Sequence, residues 1–197
     1  MKIDNKETKF NIGDTVYFIH EGSSEEETIL SSKILGIVIK ENNSFLYIIK
    51  INIFENGYRE ENSLYATEEK AEEKIKKRRI KVYLSGAIAN DKNYVNKFMN
   101  AKKEVCDRGY SVLNPIETAE SLQEKGVKEC MFASIELLRQ ADIMLLLDKE
   151  LTKSRGVSIE LELARYANIP VADDYKDIDY FYDKKYKQKN EIEEQEE

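Results

Sequence analysis

The stretch ADIMLLLDKELTKSRGVSIELELA, residues 141–164, decides the fold. Ile143–Leu147 (IMLLL) is an unbroken apolar run, too short for a helix and of the type buried on both faces of a sheet. A polar loop follows, and from Val157 to Asn168 the apolar residues recur at helical spacing. Working outward, the same strand–loop–helix rhythm repeats. Ile80–Leu84 (IKVYL) reads as a buried strand that runs into Ser85-Gly86. A helix follows from about Asp91 to Arg108, with Val95, Phe98, Met99, Val105 and Cys106 on one face and Gly109 as the stop. Tyr110–Leu113 is a second strand, ended by Asn114-Pro115. Val127–Ala141 reads as a helix and Ile169–Ala172 as a fourth strand. Alternating elements of these lengths predict a parallel sheet covered by helices on both faces.

The pattern is different before residue 66. Thr15–Ile19 (TVYFI), Lys33–Ile39 (KILGIVI) and Phe45–Ile51 (FLYIIKI) are dense in β-branched and aromatic residues. Turn signals separate them at Gly13-Asp14, His20–Thr28 and Glu41–Ser44. Short strands with no helical period between them predict a small antiparallel barrel. Thr67–Arg79 (TEEKAEEKIKKRR) then reads as a helix, with Thr67 as N-cap, acids in its first turn and bases in its last. Its basic end is a solvated helix terminus rather than a nucleic-acid patch, because no aromatic residues interleave it. The expected organisation is a barrel at 1–66, a charged linker helix at 67–79, an α/β domain at 80–183 and an acidic disordered tail at 184–197.

Composition narrows the function classes. Thirty-eight acids against thirty-one bases give a net charge of -7, which argues against a nucleic-acid binder working by bulk charge. Cys106 and Cys130 form neither a disulfide framework nor a CxxC site, and the single histidine, His20, excludes a multi-histidine metal centre. No metal or cofactor is expected. No apolar run approaches the ~18 residues needed to span a bilayer, and MKIDNKETKF lacks the apolar region of a signal peptide. The expectation is a soluble, cytoplasmic protein.

Open parallel sheets bind ligands outside the carboxyl ends of their strands. Three segments meet that edge. In Tyr83–Ile88 (YLSGAI), Gly86 lets the backbone N–H groups of Ser85, Gly86, Ala87 and Ile88 approach a ligand. Asn114 follows the second strand. In Lys149–Glu160 (KELTKSRGVSIE), Ser154, Arg155 and Gly156 open a helix, where free N–H groups and a hydroxyl suit an anion. Each feature also has a plain structural reading. Gly86 can be only a turn, Ser154 only a cap, Tyr83 a half-buried strand residue and Glu160 a surface helix carboxylate.

Taken together, YLSGAI, LLRQADIMLLL and SRGVSIELELA resemble the nucleoside 2-deoxyribosyltransferase superfamily over residues 80–172, including its deoxynucleoside-monophosphate N-glycosidases and a phage-type uncharacterised branch. The resemblance implies a flavodoxin-like α/β domain, here preceded by a barrel whose FNIGDTVYFI and SLYAT segments resemble SH3-like barrels in pattern. It places Tyr83 as the tyrosine after the first strand, Ser154 and Gly156 as the phosphate-binding Ser-x-Gly, and Glu160 as the nucleophile. A carboxylate beneath the sugar can capture C1′ as the N-glycosidic bond breaks, while a second acid protonates the leaving base. The family's Asp for that second role lies eight residues before the aspartate of the "AD" pair. Counted back from Asp142, the position is Ser134, which can hydrogen-bond but cannot act as a carboxylic acid.

Three readings follow. The first is a nucleoside or nucleotide N-glycosidase or deoxyribosyltransferase using Glu160. The second is a non-catalytic binder that sequesters a cyclic or ADP-ribose-type nucleotide signal, as a phage anti-defence protein would in the host cytoplasm. The third is an interaction scaffold. The partner implied is a nucleotide or nucleoside-derived small molecule, and the resemblance further implies a homo-oligomer, dimer or larger.

Overall fold

The computed structural model describes the chain except residues 1, 4–5, 22–26, 43, 52–54, 90, 121–125, 149–153 and 194–197, and except the side chains of 2–3, 6, 118–120 and 186–193. The chain divides into two compact units, 1–76 and 77–197.

In the first unit, β1 (Lys2–Ile3) and β2 (Lys6–Glu7) make a short antiparallel pair. β3 (Thr15–Glu21), β4 (Glu27–Ile39), β5 (Phe45–Lys50) and β6 (Asn56–Glu60) pair antiparallel in chain order. Strand alternation carries the core: Val16 and Phe18, then Phe45, Tyr47 and Ile49, are buried together with Phe10, Ile34 and Leu64. After β6 the chain returns to β3, where Tyr17 and Tyr65 exchange N–H···O bonds of 2.9 Å. Part of the expected His20–Thr28 turn is strand, since His20 pairs with Thr28 and Glu21 with Glu27. Ladder pairing satisfies backbone groups whatever the side chains, so the hairpin extends past its apolar part. Tyr47 anchors this core, donating to Glu61 Oε1 at 2.5 Å and accepting the Phe10 N–H at 3.5 Å. Burial first, then the Glu61 bond, pushes its phenol up to about 12.

The helix expected at 67–79 is α1 (Glu68–Arg78), with Ala71 and Ile75 buried. It crosses the division between the units.

The second unit holds four parallel strands, β7 (Lys81–Ser85), β8 (Ser111–Leu113), β9 (Ile143–Leu146) and β10 (Val171–Ala172), in the order β10-β9-β7-β8. From β7 the chain goes to β8 on one side and then to β9 on the other. Five helices complete it: α2 (Tyr94–Asp107), α3 (Pro115–Glu120), α4 (Val127–Leu138), α5 (Arg155–Tyr166) and α6 (Tyr175–Glu193). One face of the sheet buries Val82, Leu84, Ile143 and Leu145 against Phe98, Ala101 and Val105 of α2 and Ile178 and Tyr182 of α6. The other face buries Tyr83, Met144 and Leu146 against Leu138 of α4 and Val157, Leu161 and Ala164 of α5.

Several boundaries differ from the sequence reading. The α2 stripe is Phe98, Ala101 and Val105, whereas Val95, Met99 and Cys106 are exposed. Phe98, Ala101 and Val105 share one line along the helix, and Val95, Met99 and Cys106 all lie to the same side of it. Gly109 does end α2: at φ 98° it sits in a double turn, with its own N–H on Cys106 O at 2.9 Å and the Tyr110 N–H on Val105 O at 3.3 Å. The short helix α3, with Pro115 at its first position, was not expected from the pattern. Where a tail was expected from residue 184, α6 continues to Glu193. Ile178 and Tyr182 dock its first turns, Asp179 accepts Arg108 Nη1 at 2.6 Å and Tyr110 Oη at 2.7 Å, and the Lys, Gln and Glu residues that follow extend the helix readily. Among the described residues no helix is long and apolar enough to cross a membrane.

Replacing Tyr47 with phenylalanine keeps the ring edge-on to Phe10 but deprives the Phe10 N–H and Glu61 of their hydroxyl partner. Chemical denaturation of the full chain should show a loss of about 1–2 kcal/mol in the first unit's transition; an unchanged midpoint would place the stability of that unit elsewhere.

Candidate active site

Two periodicities meet at Glu160. Side chains alternate along β7, so Tyr83 and Ser85 lie on the same face, the one covered by α4 and α5. On α5 the buried positions are Val157, Glu160, Leu161 and Ala164, a stripe at helical spacing in which one member is a carboxylate. Only 7% of Glu160 is exposed. Tyr83 Oη donates to its Oε1 at 2.7 Å and Ser85 Oγ to its Oε2 at 2.6 Å. Burial pushes the Glu160 carboxyl above the usual carboxylate range, and the two hydroxyl donors pull against it without cancelling it. Tyr83 is pushed far up by burial and then by the neighbouring Glu160 charge. Ser134 also hydrogen-bonds the Tyr83 hydroxyl; the single phenol proton is given to Glu160, which leaves Ser134 as the donor. The result is a directed chain, Ser134 to Tyr83 to Glu160, met from the other side by Ser85.

The remaining candidates divide. Gly86, Ala87 and Ile88 follow β7 as expected, but the Ala87 N–H is already held by Asp148 Oδ2 at 2.6 Å. That carboxylate also takes Lys97 Nζ at 2.8 and 2.9 Å, and the same ammonium bonds Asp91 Oδ2 at 2.8 Å and Ala87 O at 3.1 Å. Burial draws the Lys97 ammonium down, but bonds from Asp148 and Asp91 outweigh it and hold it above the ordinary lysine value. Gly86 is tightly enclosed: a Cβ there would lie 3.2 Å from Asp148 Oδ2, 3.2 Å from Leu147 Cβ and 3.3 Å from Phe98 Cε2, so those neighbours would have to give by a few tenths of an ångström. Ile88 stands 37% exposed at the loop. Asn114 is buried and caps α3, accepting the Ile116 N–H at 3.3 Å and donating to Glu117 Oε1 at 3.1 Å, so its amide serves that helix start.

Ser154 is the N-cap of α5 and accepts the Val157 N–H at 3.4 Å. Arg155 is exposed. A Cβ on Gly156 would meet nothing closer than Ser154 Oγ at 3.8 Å and Met131 Sδ at 3.9 Å, so packing does not demand glycine there. Residues 149–153 of this segment lie outside the described residues. Sequence reasoning missed three partners: Ser85 on Glu160, Ser134 on Tyr83, and Asp148 with Lys97. The first was readable from the two-residue spacing of Tyr83 and Ser85. The other two depend on contacts between distant elements.

A cleft of about 580 Å³ is lined by Ile80, Asp142, Ile143, Asn168, Ile169 and neighbours. It lies at the starts of the strands, opposite the edge where parallel sheets bind ligands. Residues 80–173 match the model of a family described as a domain of unknown function (DUF4406). That span begins one residue before β7 and ends one after β10, so it contains the whole Glu160 cluster. No curated protein matches the chain.

Because the folded state raises the Glu160 carboxyl above its ordinary value of 4.5, the folded chain binds more protons than the unfolded one from that pH up to the raised value. Its contribution to stability is therefore present at low pH and lost as pH rises through this window. Glu160→Gln, which cannot ionise, should gain melting temperature relative to the parent as pH is raised from 4 to 8. A pH-independent difference would show that Glu160 ionises without penalty.

Proposed function

We propose that the second unit binds a nucleoside or nucleotide at the carboxyl edge of its sheet and that Glu160 is placed to attack the sugar C1′. The observation that carries this reading is the pair of hydroxyls, Tyr83 and Ser85, each bonded to one oxygen of a carboxylate that burial makes more basic. A buried, oriented, basic carboxylate is what covalent capture of an oxocarbenium-like centre requires. It has no structural duty comparable to an ion pair. Its place also supports the reading. In the unit's own chain order the strands run 2-1-3-4, the flavodoxin-like order, and the cluster sits where the order reverses, between β7 and β9. We read the first unit as an SH3-like barrel closed by the Tyr17–Tyr65 bridge.

In this chemistry one Glu160 oxygen bonds to C1′, the C1′–N bond breaks with its electrons going to the base, and water later splits the glycosyl ester. For a neutral base the leaving nitrogen needs a proton. Ser134 cannot supply it and instead donates to Tyr83. That observation favours a second reading, a pocket that holds a nucleotide-derived signal without turning it over.

The test incubates the protein with nucleosides and nucleotides, cyclic and ADP-ribose-derived ones included, and follows free base by chromatography. Glu160→Ala should abolish all cleavage, and Ser134→Asp should raise the rate on neutral bases by ~10²–10⁴-fold, the usual worth of a positioned proton donor. Cleavage that persists in Glu160→Ala would remove Glu160 from this role. Saturable binding with no base released would select the second reading.

A further inference from the structure

We infer that the second unit carries a further ligand site, distinct from the Glu160 cluster: the cleft at the starts of its strands takes a small, rigid aromatic carboxylate.

Shape makes the first argument. At about 580 Å³ the cleft falls within the range of small-molecule sites, ~300–1,000 Å³. Its lining is largely apolar, with Ile80 and Ile143 from the strand starts, Ile169 and Pro170 from the turn between α5 and β10, and Phe181 from α6. Ile80 and Ile143 belong to the buried core, whereas Ile169, Pro170 and Phe181 are half-buried and keep apolar surface open to the cleft. The backbone fixes this wall. α5 ends in a double turn, with Asn168 at φ 56°, its N–H on Arg165 O at 3.2 Å and the Ile169 N–H on Ala164 O at 2.8 Å. Pro170 O then accepts the Met144 N–H of β9 at 2.9 Å. A preformed cleft with stiff isoleucine and proline walls holds a flat, rigid body at a lower ordering cost than a flexible chain. The Phe181 ring adds an aromatic partner for it.

Charge makes the second argument. The charged residues of the lining are Asp142, Lys184 and Lys185. Asp142 is fixed at the start of β7, where its Oδ2 accepts the Lys81 N–H at 3.0 Å and its Oδ1 accepts Lys185 Nζ at 2.9 Å. Two ammonium groups against one carboxylate give the described lining a positive sign, on a chain whose net charge is -7. An apolar cleft with this local reversal of sign attracts an anion that carries an apolar body. Its carboxylate pairs with Lys184 and shares Lys185 with Asp142, while its ring lies among Ile169, Pro170 and Phe181.

The experiment measures, by calorimetry on the full chain, the binding of three probes. These are 2-naphthoate, its neutral counterpart 2-naphthamide, and decanoate, which has the same charge on a flexible chain. Lys184→Glu and Phe181→Leu are compared with the parent, and thermal melts establish that each variant folds. Lys184 is exposed on α6, so its reversal leaves the core untouched and keeps the test valid if Phe181→Leu unfolds. The parent should bind 2-naphthoate saturably at one site, and 2-naphthamide and decanoate each roughly tenfold more weakly. Lys184→Glu should weaken 2-naphthoate roughly tenfold and leave 2-naphthamide unchanged. Phe181→Leu should weaken both naphthalenes several-fold. Absence of saturable 2-naphthoate binding by the parent would overturn the inference. So would 2-naphthamide binding as tightly as 2-naphthoate, decanoate binding more tightly than either, or an affinity for 2-naphthoate that Lys184→Glu leaves unchanged. None of these outcomes bears on Glu160, whose role is read from base release.

Discussion

A carboxylate held inside the sheet-facing stripe of a helix is the constraint around which the second unit is arranged. Removing a carboxylate from water costs several kcal/mol, and each hydrogen bond to the charged form returns about 1.5–3 kcal/mol. Tyr83 and Ser85 therefore offset part of the cost of burying Glu160, and the raised carboxyl shows that burial keeps the advantage. The arrangement fixes the β7 sequence at two positions. A strand residue on this face that could not donate would leave one oxygen of Glu160 unpaired. The polar positions are alternate residues on the face that also presents Met144 and Leu146 to α5. Among the described residues, no buried side-chain nitrogen or oxygen is without a partner.

A second constraint meets the first at Gly86. The strand leaves the sheet immediately after Ser85, and Leu147, Phe98 and Asp148 press on that point so closely that a side chain there would force them to shift. The Lys97 ammonium then closes the loop by bonding both its carbonyl at Ala87 and the carboxylate that caps the Ala87 amide. Held this way, Ser85 cannot drift from Glu160 Oε2. The geometry around Glu160 thus depends on a helix, α2, that belongs to the opposite face of the sheet.

The layered α/β plan was legible because apolar runs such as Ile143–Leu147 and the stripe Val157, Leu161, Ala164 are strong periodic signals. Element ends were less so. The α2 face was misjudged because counting apolar residues favours Val95 and Met99, whereas packing selects small Ala101. The last helix was misjudged because its acidic, lysine-rich sequence reads as solvated, and only its anchoring by Ile178, Tyr182 and Asp179 shows why it folds back. At the site, the resemblance of three motifs singled out Tyr83 and Glu160, which the structure brings into contact. Ser85 was singled out for its backbone N–H, so the bond from its hydroxyl to Glu160 was not foreseen, and Asp148 was not singled out at all. A polar residue's partner lies across the fold, so no local pattern announces it.

Ser134 shows how the same position reads differently in sequence and in structure. As a residue type it is the lack of an acid; in place it is a donor that fixes the direction of Tyr83's proton. With Ser134 donating into the phenol oxygen, the Tyr83 proton is directed to Glu160, and the phenol's raised pKa keeps it there. A carboxylate at 134 would compete for that proton and add a second negative charge close to Glu160, raising both carboxyls further. Serine therefore leaves Glu160 a steady hydrogen-bond donor and adds no rival charge beside it.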